Sequence, residues 1–176
     1  TDYGTILKYD VHLDTFNVVI NRLNEYAFTG KLGVVSIFHD KEGNIWIATG
    51  FGVYFFNPEK QKIFPVQNNP FDKNSLPANQ VTAFYQTSDH LVWVASSEDE
   101  GGVSVFDEHF NLKRRLFHVK NAKEKKFKLE GILCFCEDNF KRLWMPSLSG
   151  KLISYNLVTG EINELKIPSF NYVIYS

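Results

Sequence analysis

The sequence predicts an all-β chain built from repeated four-stranded units, and three observations predict it. Apolar residues come in short bursts rich in β-branched and aromatic types, with aromatics at 15% of the 176 residues, which suits strands better than helices. Aligned on its three tryptophans, the chain shows "DKEGNIWIAT" (40–49), "TSDHLVWVAS" (87–96) and "DNFKRLWMPS" (138–147) in register without a gap; Trp46, Trp93 and Trp144 lie 47 and 51 residues apart. Downstream stand four copies of one strand, "GTILKYD" (4–10), "FGVYFFN" (51–57), "GGVSVFD" (101–107) and "GKLISYN" (150–156). Their third column is always Ile, Val or Leu, their sixth Tyr or Phe, and their last Asp or Asn. Four strands per unit at a period near 50 residues is the pattern of a β-propeller blade.

Each unit reads as an antiparallel meander of strands A to D. Strand A precedes each Trp, with Ile37, Phe84 or Phe135 nine residues before it and Val34, Val81 or Ile132 twelve before; Ser36, Ala83 and Cys134 form a column of small residues where blades would approach closely. Strand B carries the Trp. Strand C is the four-copy segment, and strand D follows as "FNVVI", "KIFPV", "RLFHV" or "EINEL". The continuous apolar runs "VYFFN" and "ILCFC" fit sheets covered on both faces. Laid out in order, 1–23 supply strands C and D of a partial blade, 32–68, 80–120 and 130–168 are complete blades, and 171–176 resembles a further strand A. That is a single propeller segment, 1–176, of about 3.75 blades, fewer than a ring needs. An open arc would expose apolar faces, so the chain is expected to be part of a larger propeller or to be completed by a second copy. It opens on Thr1 with neither an initiator Met nor a signal peptide, as an excised or mature segment would.

The blade does not carry the WD dipeptide, since Ile47, Val94 or Met145 follows the Trp. Nor does it follow kelch, because Gly101 and Gly102 come after Trp93. "NSLPANQVTAFYQTSDHLVWVAS" (74–96) and "VVSIFHDKEGNIWIAT" (from Val34) resemble the two-component regulator propeller repeat, with its N-S-L linker and tryptophan strand. Three departures stand out. Ala48, Ala95 and Pro146 take a place the family usually gives to Gly; His90 and Lys141 stand where the first complete blade has the turn glycine Gly43; and Pro146, lacking an amide hydrogen, should end its strand. The resemblance implies an extracytoplasmic sensory segment of a bacterial hybrid histidine kinase. Such a segment would be periplasmic, tied to the inner membrane only through its parent protein. It would bind carbohydrate breakdown products and control the genes for their use through a kinase outside these residues.

Composition narrows the rest. Lys plus Arg (19) balances Asp plus Glu (20) for a net charge of −1, so nothing global points to nucleic acid or an anionic membrane surface. The tryptophans read as repeated core positions rather than sugar-stacking platforms, and Cys134 and Cys136 as small core residues. His12, His39, His90, His109 and His118 show no zinc spacing, and no nucleophile elbow or phosphate loop occurs, so no catalytic residue, metal or cofactor is assigned. One local feature remains. Lys113, Arg114, Arg115, Lys120, Lys123, Lys125, Lys126 and Lys128 face a single acid, Glu124. The later part is a D-to-A connection, on the same face as the acidic Glu98, Asp99 and Glu100. It reads either as a solvated loop or, through Lys120, Lys123, Lys125, Lys126 and Lys128, as a site for an anionic ligand such as an acidic saccharide. A sensory ligand-binding propeller is the preferred function; an interaction scaffold and a propeller glycan hydrolase or lyase are the alternatives.

Overall fold

The computed structural model describes residues 5–20, 33–97, 102–109, 111–116 and 131–166. Among these residues every regular element is a strand. A two-stranded hairpin, β1 (Ile6–Asp10) and β2 (Thr15–Ile20), comes first. A four-stranded antiparallel sheet follows, made of β3 (Val34–His39), β4 (Ile45–Thr49), β5 (Gly52–Asn57) and β6 (Lys62–Val66). The next holds β7 (Val81–Gln86), β8 (Val92–Ser96), β9 (Gly102–Phe106) and β10 (Leu112–Leu116). The last holds β11 (Cys136–Glu137), β12 (Arg142–Pro146), β13 (Lys151–Asn156) and β14 (Ile162–Lys166). Within each sheet, spatial order follows chain order, the meander of a blade.

Successive sheets pack face to face through three apolar clusters, which makes the chain a propeller arc. Ile6 and Ile20 of the hairpin meet Ile47, Tyr54 and Phe56 of the first full sheet. That sheet's other face, Trp46, Ala48, Val53 and Phe55, packs on Val81, Phe84, Val94 and Phe106. Leu76 of the N-S-L linker, fully buried, completes this cluster. Beyond it, Trp93, Ala95, Val103 and Val105 meet Phe135, Met145, Ile153 and Tyr155. The C-strand columns have opposite jobs. The third residue (Ile6, Val53, Val103) faces the following sheet and the sixth (Phe56, Phe106, Tyr155) the preceding one, because alternate residues of a strand point to opposite faces and these two are three apart.

The A-to-B pairing has the same flaw in both complete ladders: the register slips between Val34 and Ser36, and again between Val81 and Ala83, one bulge per blade at the same place. In the last sheet this region is looser than "ILCFC" predicts. β11 spans two residues, with an isolated Ile132–Ser147 bridge and a Leu133 amide donating to the Pro146 carbonyl at 3.0 Å. Pro146 accounts for it. It sits in the column of Ala48 and Ala95, where it can accept a ladder bond but not donate one, and β12 ends on it.

The two cysteines depart from the core expectation. Both are free thiols; Cys134 is half-buried and Cys136 exposed, because Cys136 pairs with Trp144 on the face of the last sheet that no further described sheet covers. Residues 171–176 lie outside the described residues.

Candidate functional site

The A-to-B turns and C-to-D turns emerge at one rim of the arc and repeat the same chemistry. Each A-to-B turn is closed by an amide at a residue with left-handed backbone: Gly43 (φ 85°) donates to the Asp40 carbonyl at 3.2 Å, His90 (φ 65°) to Thr87 at 3.0 Å, and Lys141 (φ 60°) to Asp138 at 3.2 Å. The first turn residue also anchors the tryptophan six positions on. Trp46 Nε1 donates to Asp40 Oδ2 at 2.8 Å, Trp93 Nε1 to Thr87 Oγ1 at 3.2 Å, and Trp144 Nε1 to Asp138 Oδ2 at 2.9 Å. An indole N–H buried in a blade needs such an acceptor. Burial pushes the Asp138 carboxyl up, but bonds from Trp144 and Arg142 outweigh it and hold the group well below the usual carboxylate range.

The constant Asp or Asn at the end of strand C caps the C-to-D turn. Asp10 Oδ1 accepts from His12 N at 2.9 Å, Asn57 Oδ1 from Lys60 N at 2.8 Å, Asp107 Oδ1 from His109 N at 2.9 Å, and Asn156 Oδ1 from Val158 N at 2.9 Å. The bonds of Asp10, Asp107 and Asn156 reach two residues on, as in Asx turns, and that of Asn57 reaches three; a short side chain ending in a carbonyl-type oxygen suits both. Burial raises the Asp107 carboxyl as well, yet Lys113 and Asn111 hold it well below its ordinary value.

Neighbouring blades are stitched along this rim. Gln86 donates to Glu42 Oε2 at 3.2 Å while His90 Nδ1 lies 3.0 Å from Glu42 Oε1. One blade on, the Ser88 amide donates to Glu137 Oε2 at 2.6 Å and Lys141 Nζ to Ser88 Oγ at 2.6 Å. Glu42 is lowered below the usual glutamate value by Gln86 first, against burial and with help from His90.

Between the first two full sheets the rim opens into a cleft of about 380 Å³. Phe55 and Phe64 form its apolar side, with ring centroids 6.1 Å apart; Phe64 is 45% exposed. Glu42, Asn57 and Lys60 line it from one blade, and Glu108 and His109 from the next. Asn57 is fixed from both sides, donating to Asn44 Oδ1 at 2.6 Å while its own Oδ1 caps the Lys60 amide. Among the described residues no group of three or more His, Cys, Asp or Glu could hold a metal ion.

The basic candidates divide. Lys120, Lys123, Lys125, Lys126 and Lys128 lie outside the described residues, as do Glu98, Asp99 and Glu100. The earlier members of the run serve the fold. Lys113 Nζ pairs with Asp107 at 2.8 Å, Arg114 donates to the Tyr155 hydroxyl of the next blade, and Arg115 donates to the Ser75 carbonyl of the linker. Sequence reasoning found the Asp/Asn column but not the cleft beside it. The available signal was that the capping residues and A-to-B turns of adjacent units must share one rim.

The family model for the two component regulator propeller matches residues 30–51 and 75–98. These two stretches, 46 of the 176 residues, match that repeat. The matched segments cover strands A and B of the two best-formed blades, including the Asp40–Trp46 and Thr87–Trp93 pairs. Among solved structures, the chain is similar in fold to the extracellular domain assigned to the hybrid two component system BT3049 of B. thetaiotaomicron. The TM-score is 0.69 at 20% identity, over 93% of this chain and 20% of that one. The extracellular domain assigned to BT4673 of the same organism gives 0.65 at 17% identity, over 95% of this chain and 20% of that one. The chain thus spans about a fifth of the length of those structures. No match was found among curated proteins.

Proposed function

We propose that the chain is a non-catalytic segment of the sensory propeller of a bacterial hybrid two-component sensor. In this reading it lies outside the cytoplasm, helps recognise breakdown products of complex carbohydrates, and governs transcription through a kinase elsewhere in the parent protein. The observation that carries the reading is the regulator-propeller match over both tryptophan turns. The likeness of fold to extracellular domains assigned to hybrid two component systems supports it. The partners that complete the ring are further blades of the parent chain or a second copy, which the last-sheet face around Trp144, covered by no described sheet, would receive.

The complete coding sequence, with a functional readout, tests this. A membrane-spanning helix and a histidine kinase are expected in the same reading frame, and oligosaccharides that raise the Tm of the chain should switch on a reporter driven by the intact protein. A frame without any kinase, or turnover of the oligosaccharides by the chain, overturns the reading.

A further inference from the structure

We propose that the rim cleft between the first two full sheets binds a hydroxyl-rich ring compound, neutral or carrying an amino group, which lies against Phe64 and hydrogen-bonds to the carboxylates above it. Both walls belong to described blades, so the cleft exists whatever completes the ring. Its volume of about 380 Å³ is that of a small-ligand site. The half-exposed Phe64 offers an apolar surface to a C–H face, while Glu42, Glu108 and the Asn57 amide offer hydrogen-bonding edges.

Two facts make this more than a dent in the surface. The polar groups are already oriented: Glu42 by Gln86 and His90, Asn57 by Asn44 and the Lys60 amide. A ligand would not have to order them. Glu42 and Glu108 also outnumber Lys60, the one Lys or Arg lining the cleft, and His109 Nδ1 lies 3.6 Å from Glu108 Oε1. The cleft therefore suits a ligand that donates hydrogen bonds and disfavours one bearing a carboxylate or sulfate. That is the reverse of the ligand the lysine-rich 120–128 stretch would select.

The proposal deepens the sensor reading, since the bound compound would be its signal. The test is an amide chemical-shift titration of the chain with glucosamine, glucose and glucuronic acid in parallel. Glucosamine and glucose should move the amides of 42–44, 57–60 and 108–109, and glucuronic acid should bind roughly tenfold more weakly. Glu108→Gln, at a half-exposed side chain, should weaken glucosamine most, and Phe64→Ala should weaken all three. If Phe64→Ala does not fold, Glu108→Gln decides alone. No movement at these amides, glucuronic acid binding as tightly as glucose, or titrations unchanged by Glu108→Gln would each overturn the proposal. The sensor reading fails separately: a parent frame without a kinase sinks it even if the cleft binds, and an empty cleft leaves it standing.

Discussion

Trp46 and Trp144 occupy the same place in two blades and live in different surroundings. Both lie on strand B, and both donate an indole bond to an Asp six residues earlier, at 2.8 and 2.9 Å. Trp46 is 1% exposed, edge-on to Phe55 at 5.2 Å, with the next sheet closing over it. Trp144 is half-buried, and Arg142 takes up part of the room a following blade would fill; its guanidinium carbon lies 5.1 Å from both the Phe140 and Trp144 ring centroids. Opposite Trp46 stand Phe38 and Phe55, whereas opposite Trp144 stand Cys136 and Ser154. The turn that holds a tryptophan is thus a property of one blade. Its burial is a property of two.

The largest effect should separate these two parts. Trp46→Ala removes both the turn bond and a full sheet-to-sheet contact and should cost about 3–5 kcal/mol, whereas Trp144→Ala should cost about 1–2 kcal/mol. Urea denaturation of each variant measures the difference. Equal costs would mean that the last face is covered in solution, either by a second copy or by residues outside the described ones.

A smaller effect concerns the anchoring acid. Because its pKa is held down in the folded state, Asp138 contributes stability above the unfolded aspartate value of about 3.9 and loses it as pH falls through the lower folded value. Tm should therefore fall on acidification below about pH 4. Asp138→Thr copies the neutral anchor that Thr87 provides in the middle blade; it should lower Tm at neutral pH and flatten the acid slope, and a Tm-against-pH series checks both.

The smallest concerns the left-handed turn position. Adding a Cβ at Gly43 meets no atom within 4 Å, so Gly43→Ala isolates backbone strain and should cost about 1 kcal/mol. Lys141→Gly should gain up to about 1 kcal/mol, offset in part by the lost contacts to Ser88 and Glu137. If thermal denaturation shows both changes to be neutral, the three turns are not equivalent.

Much of this was legible in advance because a blade is a local object. The spacing of Trp46, Trp93 and Trp144 located every strand B, and the final Asp or Asn of "GTILKYD" and its copies marked every C-to-D turn before its capping role was visible. The alignment of His90 and Lys141 with Gly43 marked one turn position, which the structure shows to be left-handed in both, and Pro146 marked the end of β12. The cleft was not legible, since its walls come from residues about fifty positions apart whose meeting depends on how two sheets are tilted together. Nor were the structural roles of Arg114 and Arg115, which looked like part of one basic run until adjacent strand positions sent them to opposite neighbours.

By itself the sequence determined the hairpins, the turns and which residues would share a face, because these depend on bonds between positions near each other in the chain. Only the tertiary structure decided which of those faces is dry. Tyr9 and Tyr155 share a column, yet one is 47% exposed and the other 3%, since apolar burial requires a second surface and the chain's own pattern cannot say whether one is there.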